Sequence, residues 1–292
     1  MTAMPIALYI EQIVNGLVAG SMYALVGGGI ALIYGTMRVL NMAHGEFYMM
    51  GGYAAFYLVG RAVPPVLAIP LVAGLLFLVG AAVQRLTVHY LLRQDGWLFA
   101  CIAATLGLSI AFQNLALIVF GEDYKTVPYY VEGILRLGDI RLPLQRVLML
   151  LVAVGTLLAM GFLLKKTRFG WALRATSQDS DAASVCGIPV SRIHMITFGL
   201  SAALGGVAGA MLAPIYSVSP WMGLPVLFKG FVVVVLGGLG SFPGAIVGGL
   251  LLGIVEALGV QITSAEWRDV FGFALMIVVV WARPWGLFGK AP

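Results

Sequence analysis

Long apolar runs separated by short polar segments set the pattern of this chain. The charge-free runs cover residues 12–37, 62–84, 96–121, 147–164 and 230–255. A hydrocarbon core of roughly 30 Å needs about 20 apolar residues per helix, so each run approaches the length of a membrane span. The runs are continuously apolar rather than alternating, which argues against an outer-membrane barrel and leaves helices.

The pattern predicts an all-α, polytopic helical bundle of about eight or nine transmembrane segments in one domain, residues 1–292. Between residues 226 and 260 the number of spans is open: 231–236 is too short to cross alone, 237–244 is a flexible turn, and 245–259 is helical again. The other predicted spans cover residues 6–33, 47–59, 64–84, 97–120, 146–164, 193–213 and 270–281.

Composition agrees with the membrane class. Hydrophobic residues make up 61% of the chain and charged residues 10%, and the mean hydropathy is +1.01, which excludes an ordinary soluble domain. The net charge of +5 comes from basic residues between the spans, so it indicates topology and not a nucleic-acid partner. We expect no disulfide between Cys101 and Cys186, and we expect the first apolar run to be retained as a span because no Lys or Arg precedes Arg38.

Lysine and arginine are modestly more frequent on one side of the predicted spans. That side holds the central polar segment and, at the end of the chain, Lys290. The bias predicts a periplasmic N-terminus and a cytoplasmic C-terminus, with residues 165–192 in the cytoplasm.

The central polar segment, residues 165–192, separates two apolar blocks. It begins with three basic residues and ends at Gly187 and Pro189. An amphipathic stretch that stops at glycine predicts a short helix on the membrane surface. A solvated connecting loop is the alternative.

A second polar break, residues 38–46, precedes the second span. Asn41, His44 and Glu46 are expected near one membrane boundary. They form either a functional site or an interfacial helix cap. A functional site is suggested because unpaired ionisable groups are costly in hydrocarbon. In the cap, Asn41 begins a helix and Glu46, in its first turns, is stabilised by the helix dipole. A metal site is disfavoured because His44 and Glu46 are two residues apart and no HExxH motif is present.

Polar residues within the spans are candidates for a translocation path: Asn15, Tyr23, Asn41 and His44. For Gln113 and Asn114 we favour interhelical hydrogen bonds instead. Three interpretations are open for Glu256: a proton-coupling carboxylate, one member of a buried ion pair, or a residue at the membrane boundary. We favour the membrane boundary.

Glycines predict close contacts and one flexible point. Gly16 and Gly20 lie one helical turn apart, a spacing that lets helix backbones approach closely. The run of three glycines at residues 27–29 favours a kink or a close crossing. The hinge candidates lie in the turn at 237–244: Gly237, Gly238, Gly240 and Gly244.

No phosphate-binding loop, catalytic triad signature or zinc-ligand spacing occurs in the 292 residues. The chain is therefore not expected to hydrolyse ATP. If it transports a solute uphill, the energy comes from a partner protein or an ion gradient.

Three stretches, Asn15–Tyr53, Arg174–Met211 and Leu236–Gly249, closely resemble branched-chain amino-acid ABC importer permeases of the high-affinity LivH type. The resemblance implies a multi-pass protein of the bacterial inner membrane whose residues 165–192 form a cytoplasmic coupling loop for an ATPase. Arg174, at the start of the second stretch, is expected to take part in ATPase coupling together with residues of that loop. Asp181, Ala182, Ala183 and Gly187 match the EAA-x3-G pattern of that loop, with Asp in place of Glu. Its downstream Ile, Leu and Pro are replaced by Thr197, Gly199 and Leu200, so the loop is a divergent version.

The resemblance also implies partners. These are two ATPase subunits similar to LivG and LivF, a second permease similar to LivM as heterodimer partner, a periplasmic amino-acid-binding protein, and the lipid bilayer. The binding protein would dock on residues 122–143 and 214–225. ATP and Mg would bind at the ATPase subunits, with no cofactor, metal or catalytic residue in this chain.

Two alternatives stay open. The same machinery carries urea, an amide or an aromatic acid in relatives of this family. In an ion-coupled secondary transporter, Glu256 or His44 would carry the coupling proton, and residues 165–192 would be a linker. A structural scaffold ranks last because it leaves the polar boundary residues without a purpose.

Overall fold

The computed structural model describes residues 6–137 and 140–289, and these are predominantly helical. The helices are α1 (Ile6–Met37), α2 (His44–Gly60), α3 (Pro65–Val83), α4 (His89–Leu91), α5 (Trp97–Phe120), α6 (Leu144–Lys166), α7 (Arg168–Gln178), α8 (Ser180–Val185), α9 (Val190–Leu212), α10 (Gly223–Gly237), α11 (Phe242–Ile262) and α12 (Arg268–Ala282). A π-helical turn at Gln84–Val88 joins α3 to α4, and a 3-10 turn at Ala265–Trp267 precedes α12.

Among the described residues, six helical segments are long and apolar enough to cross a membrane: Leu8–Met37, Pro65–Leu91, Trp97–Phe120, Leu144–Lys166, Val190–Leu212 and Phe242–Ile262. The shorter apolar helix α10 and the helices α2 and α12 complete the bundle. The all-α polytopic class is thereby confirmed. The one addition is a small hairpin of two antiparallel strands, β1 (Ile134–Leu137) and β2 (Ile140–Pro143), within the loop after α5.

Helix α1 lies at the centre of the bundle. In the most apolar window of each helix, 83% of the residues are buried in α1 and 72% in α9, against 17% in α5 and 22% in α6. Since hydrocarbon takes the place of water around a membrane bundle, the exposed apolar faces of α3, α5 and α6 are lipid-facing surfaces or contacts with other subunits.

The antiparallel crossing of α1 and α11 depends on glycine. A Cβ at Gly16 would lie 2.8 Å from the carbonyl oxygen of Gly253, and one at Gly20 would lie 2.7 Å from that of Gly249. The spacing predicted from the sequence therefore does bring two helix backbones together. The glycine run at 27–29 produces a close crossing and no break, because α1 is continuous from Ile6 to Met37.

Helix α2 begins earlier and deeper than the sequence predicts. The predicted start was residue 47, but the helix starts at His44, whose ring packs against Gly29 of α1. Gly29 lies eight residues before the end of α1, roughly 12 Å along the helix axis. Asn41, His44 and Glu46 are all buried within the bundle, and their position relative to a membrane boundary stays a prediction. The chain turns back at Arg38 and enters the bundle before α2 begins.

The region 223–262 forms a helical hairpin with a shorter turn than predicted. Helix α10 runs from Gly223 to Gly237 and contains Pro225 in its first turn, where a missing N–H costs little. Only residues 238–241 separate it from α11. The sequence analysis predicted too short a helix around 231–236. Glycines and prolines on both sides were interpreted as helix ends, although one continuous helix runs through them.

Candidate functional site

A polar cavity of about 250 Å³ lies between α1, α6, α11 and the residues that follow α9. It is lined by Gln12, Asn15, Val18, Ala19, Tyr23, Arg146, Met149, Leu212, Ile215, Tyr216, Gly253, Glu256, Ala257, Val260 and Arg268. Two of the four path candidates predicted from the sequence, Asn15 and Tyr23, lie on its wall.

Glu256 is the acidic group of this cavity. Its side chain is 3% exposed and forms an ion pair with Lys229 of α10, while the Tyr23 hydroxyl donates a 2.9 Å hydrogen bond to Glu256 Oε2. Lys229 also lies 2.7 Å from Asp269 Oδ1 on α12. Glu256 is thus a buried pair, and the favoured boundary position is not what the structure shows.

The glycine crossing explains why these groups meet. Because α1 and α11 run antiparallel and touch backbone to backbone at Gly20 and Gly249, Tyr23 and Glu256 lie in opposite directions from that contact, and their side chains reach across it to form the hydrogen bond. The α10–α11 hairpin then sets Lys229 beside Glu256. A buried pair repays its desolvation cost only when further hydrogen bonds satisfy it, and here Tyr23 and Asp269 supply them.

Two arginines complete the polar wall. Arg146, in the first turns of α6, donates a hydrogen bond to Asn15 Oδ1. Arg268, the first residue of α12, lines the same cavity together with Tyr216 and Glu256. Both guanidinium groups are half-buried. The cavity therefore offers positive charge at two points and a paired carboxylate at a third.

Asn41 and His44 lie elsewhere, in the packed centre of the bundle. Asn41 Oδ1 accepts a 3.0 Å hydrogen bond from the Ala43 N–H in the turn before α2, but Ala43 is the N-cap of α2 and no side chain caps that helix, so the cap expected at Asn41 is wrong. His44 is fully buried, and its Nδ1 lies 3.2 Å from Ser201 Oγ on α9. The four predicted path residues therefore divide into two separate groups.

Glu46 joins α2 to α5. Its Oε1 accepts a 3.0 Å hydrogen bond from Ser109 Oγ and a 2.8 Å bond from Gln113 Nε2. A second contact to α5 comes from the Met42 N–H, which donates a 3.1 Å hydrogen bond to Thr105 Oγ1. The interhelical bond expected for Gln113 is confirmed. Asn114 instead donates to the Ile110 carbonyl of its own helix, so that expectation is wrong for Asn114.

The central polar segment, for which a coupling role is predicted, holds the two short helices α7 and α8. Asp179 caps α8, with Oδ1 accepting 2.9 Å bonds from the N–H groups of Asp181 and Ala182, and Gly187 ends the turn at φ +84°. Ala183 is buried, while Ala182 is exposed and Val185 is 90% exposed. Arg174 lies on the preceding helix, α7, and donates to the Leu164 carbonyl. The helix and its glycine stop match the prediction from the sequence.

The hinge candidates have two different settings. Gly238 and Gly240 have φ of +101° and +81° and form the turn itself. Gly237 and Gly244 lie inside α10 and α11 and touch each other, since a Cβ on Gly237 would lie 2.3 Å from the Gly244 carbonyl. The C-terminal segment holds this turn through two backbone bonds, from Leu287 N–H to Leu236 O at 2.9 Å and from Phe288 N–H to Gly237 O at 3.0 Å. A hinge role stays a prediction.

The two loops expected to receive a binding protein form one surface. Lys125 and Val218 exchange both backbone hydrogen bonds, at 3.0 and 2.8 Å, and so join residues 122–143 to residues 214–225. The exposed aromatic side chains of this surface are Tyr124, Tyr129, Tyr216 and Trp221. Residues 138 and 139 of the first loop, like Lys290 in the charge count, lie outside the described residues.

Sequence reasoning did not assign Lys229, Arg146 or Arg268 to a site. Lys229 gave a usable signal, because a single cation inside an apolar run marks a functional group or a buried pair. The arginines gave none, since each stands at the end of a predicted span, where arginine is ordinary. Only the fold brings all three around one cavity.

The model of a protein family described as branched-chain amino acid transport system / permease component matches residues 12–280. The chain is 33% identical to the high-affinity branched-chain amino acid transport system permease protein BraD of Pseudomonas aeruginosa, covering 97% of this chain and 96% of that protein. It is also 33% identical to the corresponding LivH of Escherichia coli, with the same coverage. A probable LivH of Methanocaldococcus jannaschii is 27% identical over 96% of this chain and 92% of the relative. No solved structure gives a significant match.

Proposed function

We propose a transport function from one premise: the chain belongs to the family of branched-chain amino acid transport system permease components. It is the transmembrane permease subunit of an ATP-driven ABC importer for leucine, isoleucine and valine. The observation that supports this function is the match to BraD and LivH over nearly the full length of all three chains. The chain is a permease subunit and not an enzyme, and the ion-coupled carrier is not proposed.

The power for transport comes from partner subunits. Two ATPase subunits similar to LivG and LivF bind ATP and Mg, a second permease similar to LivM pairs with this chain, and a periplasmic binding protein delivers the amino acid. The N-terminus lies in the periplasm and the C-terminus in the cytoplasm. Alternating access then moves the amino acid inward without any chemical change to it.

The outer docking surface is the joined pair of loops at 122–143 and 214–225. Its exposed aromatic residues suit a protein contact, since aromatic side chains are enriched in interfaces. The polar cavity contacts this surface through Tyr216, which belongs to the second loop and to the cavity wall. A solute released at the surface therefore has a polar space immediately behind it.

The inner docking element is α8. Ala182 and Val185 present a small and an apolar side chain to the outside, which suits insertion into a cleft of an ATPase subunit. Ala183 packs inward and ties α8 to the bundle. Movement of the ATPase is thereby transmitted to α6 and α9, the helices that flank the coupling segment.

The test is purification of the tagged chain with its bound subunits in mild detergent, followed by ATPase and reconstituted uptake assays. We expect the double variant Ala182→Asp, Val185→Asp to lose the ATPase subunits and to lower ATP-driven leucine uptake at least tenfold. A charge at Ala183 is avoided because that residue is buried and its substitution would disturb the loop itself.

The matched control is Ala62→Asp. Ala62 is an exposed alanine between α2 and α3 with φ of +61°, a conformation that aspartate adopts more readily than alanine. It should keep both the ATPase subunits and uptake. Full retention of ATPase subunits and uptake by the α8 double variant would refute the assignment of α8. A wild-type chain that purifies without any ATPase and shows no ATP-driven uptake would refute the importer.

A further inference from the structure

We infer that the polar cavity is a binding site for the zwitterionic amino-acid cargo, with the cargo carboxylate held between Arg146 and Arg268. The inference rests on the proposed function and assigns part of the translocation path to this chain. It also selects among cargo classes, because the chemistry of the wall distinguishes a carboxylate from a neutral amide or urea.

The argument begins with the two arginines. Arg146 donates a hydrogen bond to the Asn15 side-chain oxygen, and Arg268 lines the same cavity. Within the described parts of the chain neither guanidinium lies at salt-bridge distance from a carboxylate. Guanidinium groups in partly buried sites bind planar carboxylates strongly, often with two parallel hydrogen bonds. Two such groups around one cavity suit a single small anion.

The acidic side of the cavity suits the cargo ammonium. Glu256 lies on the wall, and its charge is balanced by Lys229. Lys229 has a second carboxylate partner, Asp269, at 2.7 Å on α12. An arriving ammonium can therefore approach Glu256 while Lys229 keeps the Asp269 contact. The Tyr23 hydroxyl, already bonded to Glu256, holds the carboxylate in place.

Apart from Gln12 and Tyr216, the rest of the wall is apolar and suits an aliphatic side chain. Its members come from four parts of the fold, namely α1, α6, α9 with the loop after it, and α11: Val18, Met149, Leu212, Ile215 and Val260. A ligand with a carboxylate, an ammonium and a branched hydrocarbon chain matches all three kinds of surface. Urea and simple amides lack the anion that the arginines select.

The first experiment varies the ligand and leaves the protein unchanged. Saturation-transfer difference NMR is recorded on the assembled transporter in nanodiscs, without the binding protein, with leucine as the probe. We expect a leucine signal that 4-methylpentanoate, a carboxylate with the same hydrocarbon branch, reduces at least threefold. Leucinamide, which lacks the carboxylate, should reduce it by less than a third at equal concentration.

The second experiment uses the double variant Arg146→Gln, Arg268→Gln in the same complex. We expect the leucine signal to fall at least fivefold, with ATPase subunits still bound. The lysine double variant, Arg146→Lys, Arg268→Lys, keeps the positive charges and should recover part of the signal. The control is Arg283→Gln, which alters an exposed arginine at the end of α12 and should leave the signal unchanged.

The outcomes separate this inference from the proposed function. If wild-type complex performs ATP-driven leucine uptake but gives no leucine signal, or if leucinamide competes as well as 4-methylpentanoate, the site is refuted and the importer stands. An unchanged signal in the glutamine double variant refutes the site equally. If wild-type complex shows no ATP-driven uptake of any aliphatic amino acid, the proposed function itself fails.

Discussion

Two buried glutamates, Glu46 and Glu256, occupy opposite kinds of environment in the same bundle. Glu256 has a cation, Lys229, and lies on the wall of a polar cavity. Glu46 has no cation at salt-bridge distance within the described residues and is held by Ser109 and Gln113 of α5. The Glu256 carboxylate lines a cavity large enough for a small solute, whereas the Glu46 carboxylate links α2 to α5.

The difference shows how a membrane bundle uses polar groups. A polar side chain in hydrocarbon must find partners, and interhelical hydrogen bonds of about 0.6 to 2 kcal/mol supply them at Glu46. At Glu256 the compensation is ionic, so the wall of the polar cavity keeps its charges. Residue type alone does not separate the two roles, whereas the identity of the partners does.

The largest effect on stability is expected for Lys229→Met, which leaves Glu256 without its cation. Removing one member of a buried ion pair costs about 3 to 5 kcal/mol. The free energy of unfolding, measured by titrating the purified protein with denaturing detergent and following far-UV circular dichroism, should fall by about that amount. The double variant Lys229→Met, Glu256→Gln should recover at least half of the loss.

Lys125→Met is the control for this prediction. Its salt bridge to Asp123 is 3.7 Å long and Asp123 is 91% exposed, so the bridge contributes little. Equal losses for Lys125→Met and Lys229→Met would contradict the distinction between the paired carboxylate in the bundle and an ordinary surface pair.

A smaller loss, about 2 kcal/mol, is expected for Glu46→Ala. The substitution removes the acceptor for both Ser109 and Gln113 and so loosens α5, which has few buried residues to hold it. Asn114→Ala is the control on the same helix, since Asn114 bonds only within α5. The same titration measures both, and a loss as large for Asn114→Ala would argue against Glu46 as the link between α2 and α5.

Transport should distinguish the two glutamates in a different way. Glu256→Gln removes the charge that faces the cargo ammonium, and we expect reconstituted leucine uptake to fall about tenfold, equivalent to about 1.4 kcal/mol. The drop should appear while the ATPase subunits stay bound. Unaltered uptake would place the ammonium of the cargo away from Glu256.

The smallest effect is expected for Glu46→Gln. The amide oxygen still accepts from Ser109 and Gln113, and Oε2, which the amide nitrogen replaces, has no hydrogen-bond partner within the described residues. Stability should change by less than about 1 kcal/mol and uptake should stay above half of wild type. A tenfold loss of uptake would move Glu46 from a structural to a transport role.

Much of the architecture follows from the sequence alone. Apolar runs of membrane-spanning length predict the class, the glycine spacing at Gly16 and Gly20 predicts a close crossing, and Gly187 predicts the end of the coupling helix. These features are local, because span length, helix spacing and backbone conformation each depend on residues close together in the chain.

The site was only half predictable. Asn15 and Tyr23 were candidates as polar residues in a span, whereas Asn41 and His44 were candidates as polar residues of the break before α2 and pack in the bundle centre. Separating them requires knowing which helix faces which, and the periodicity of a nearly all-apolar helix carries little information on that point. Lys229 is visible in the sequence as a lone cation in an apolar run, but its pairing with Glu256 is not, since the two residues stand 27 positions apart in the chain.

The amino-acid sequence is therefore enough to predict the membrane class, most of the helices, the end of the helix at Gly187 and, through its resemblance, the family. Helix packing sets the rest: the start of α2 inside the bundle, the pairing of Lys229 with Glu256, and the gathering of Arg146 and Arg268 around one cavity. The physical reason is that spans form independently by satisfying their own backbone hydrogen bonds, whereas polar side chains acquire their roles only when the packed helices give them partners.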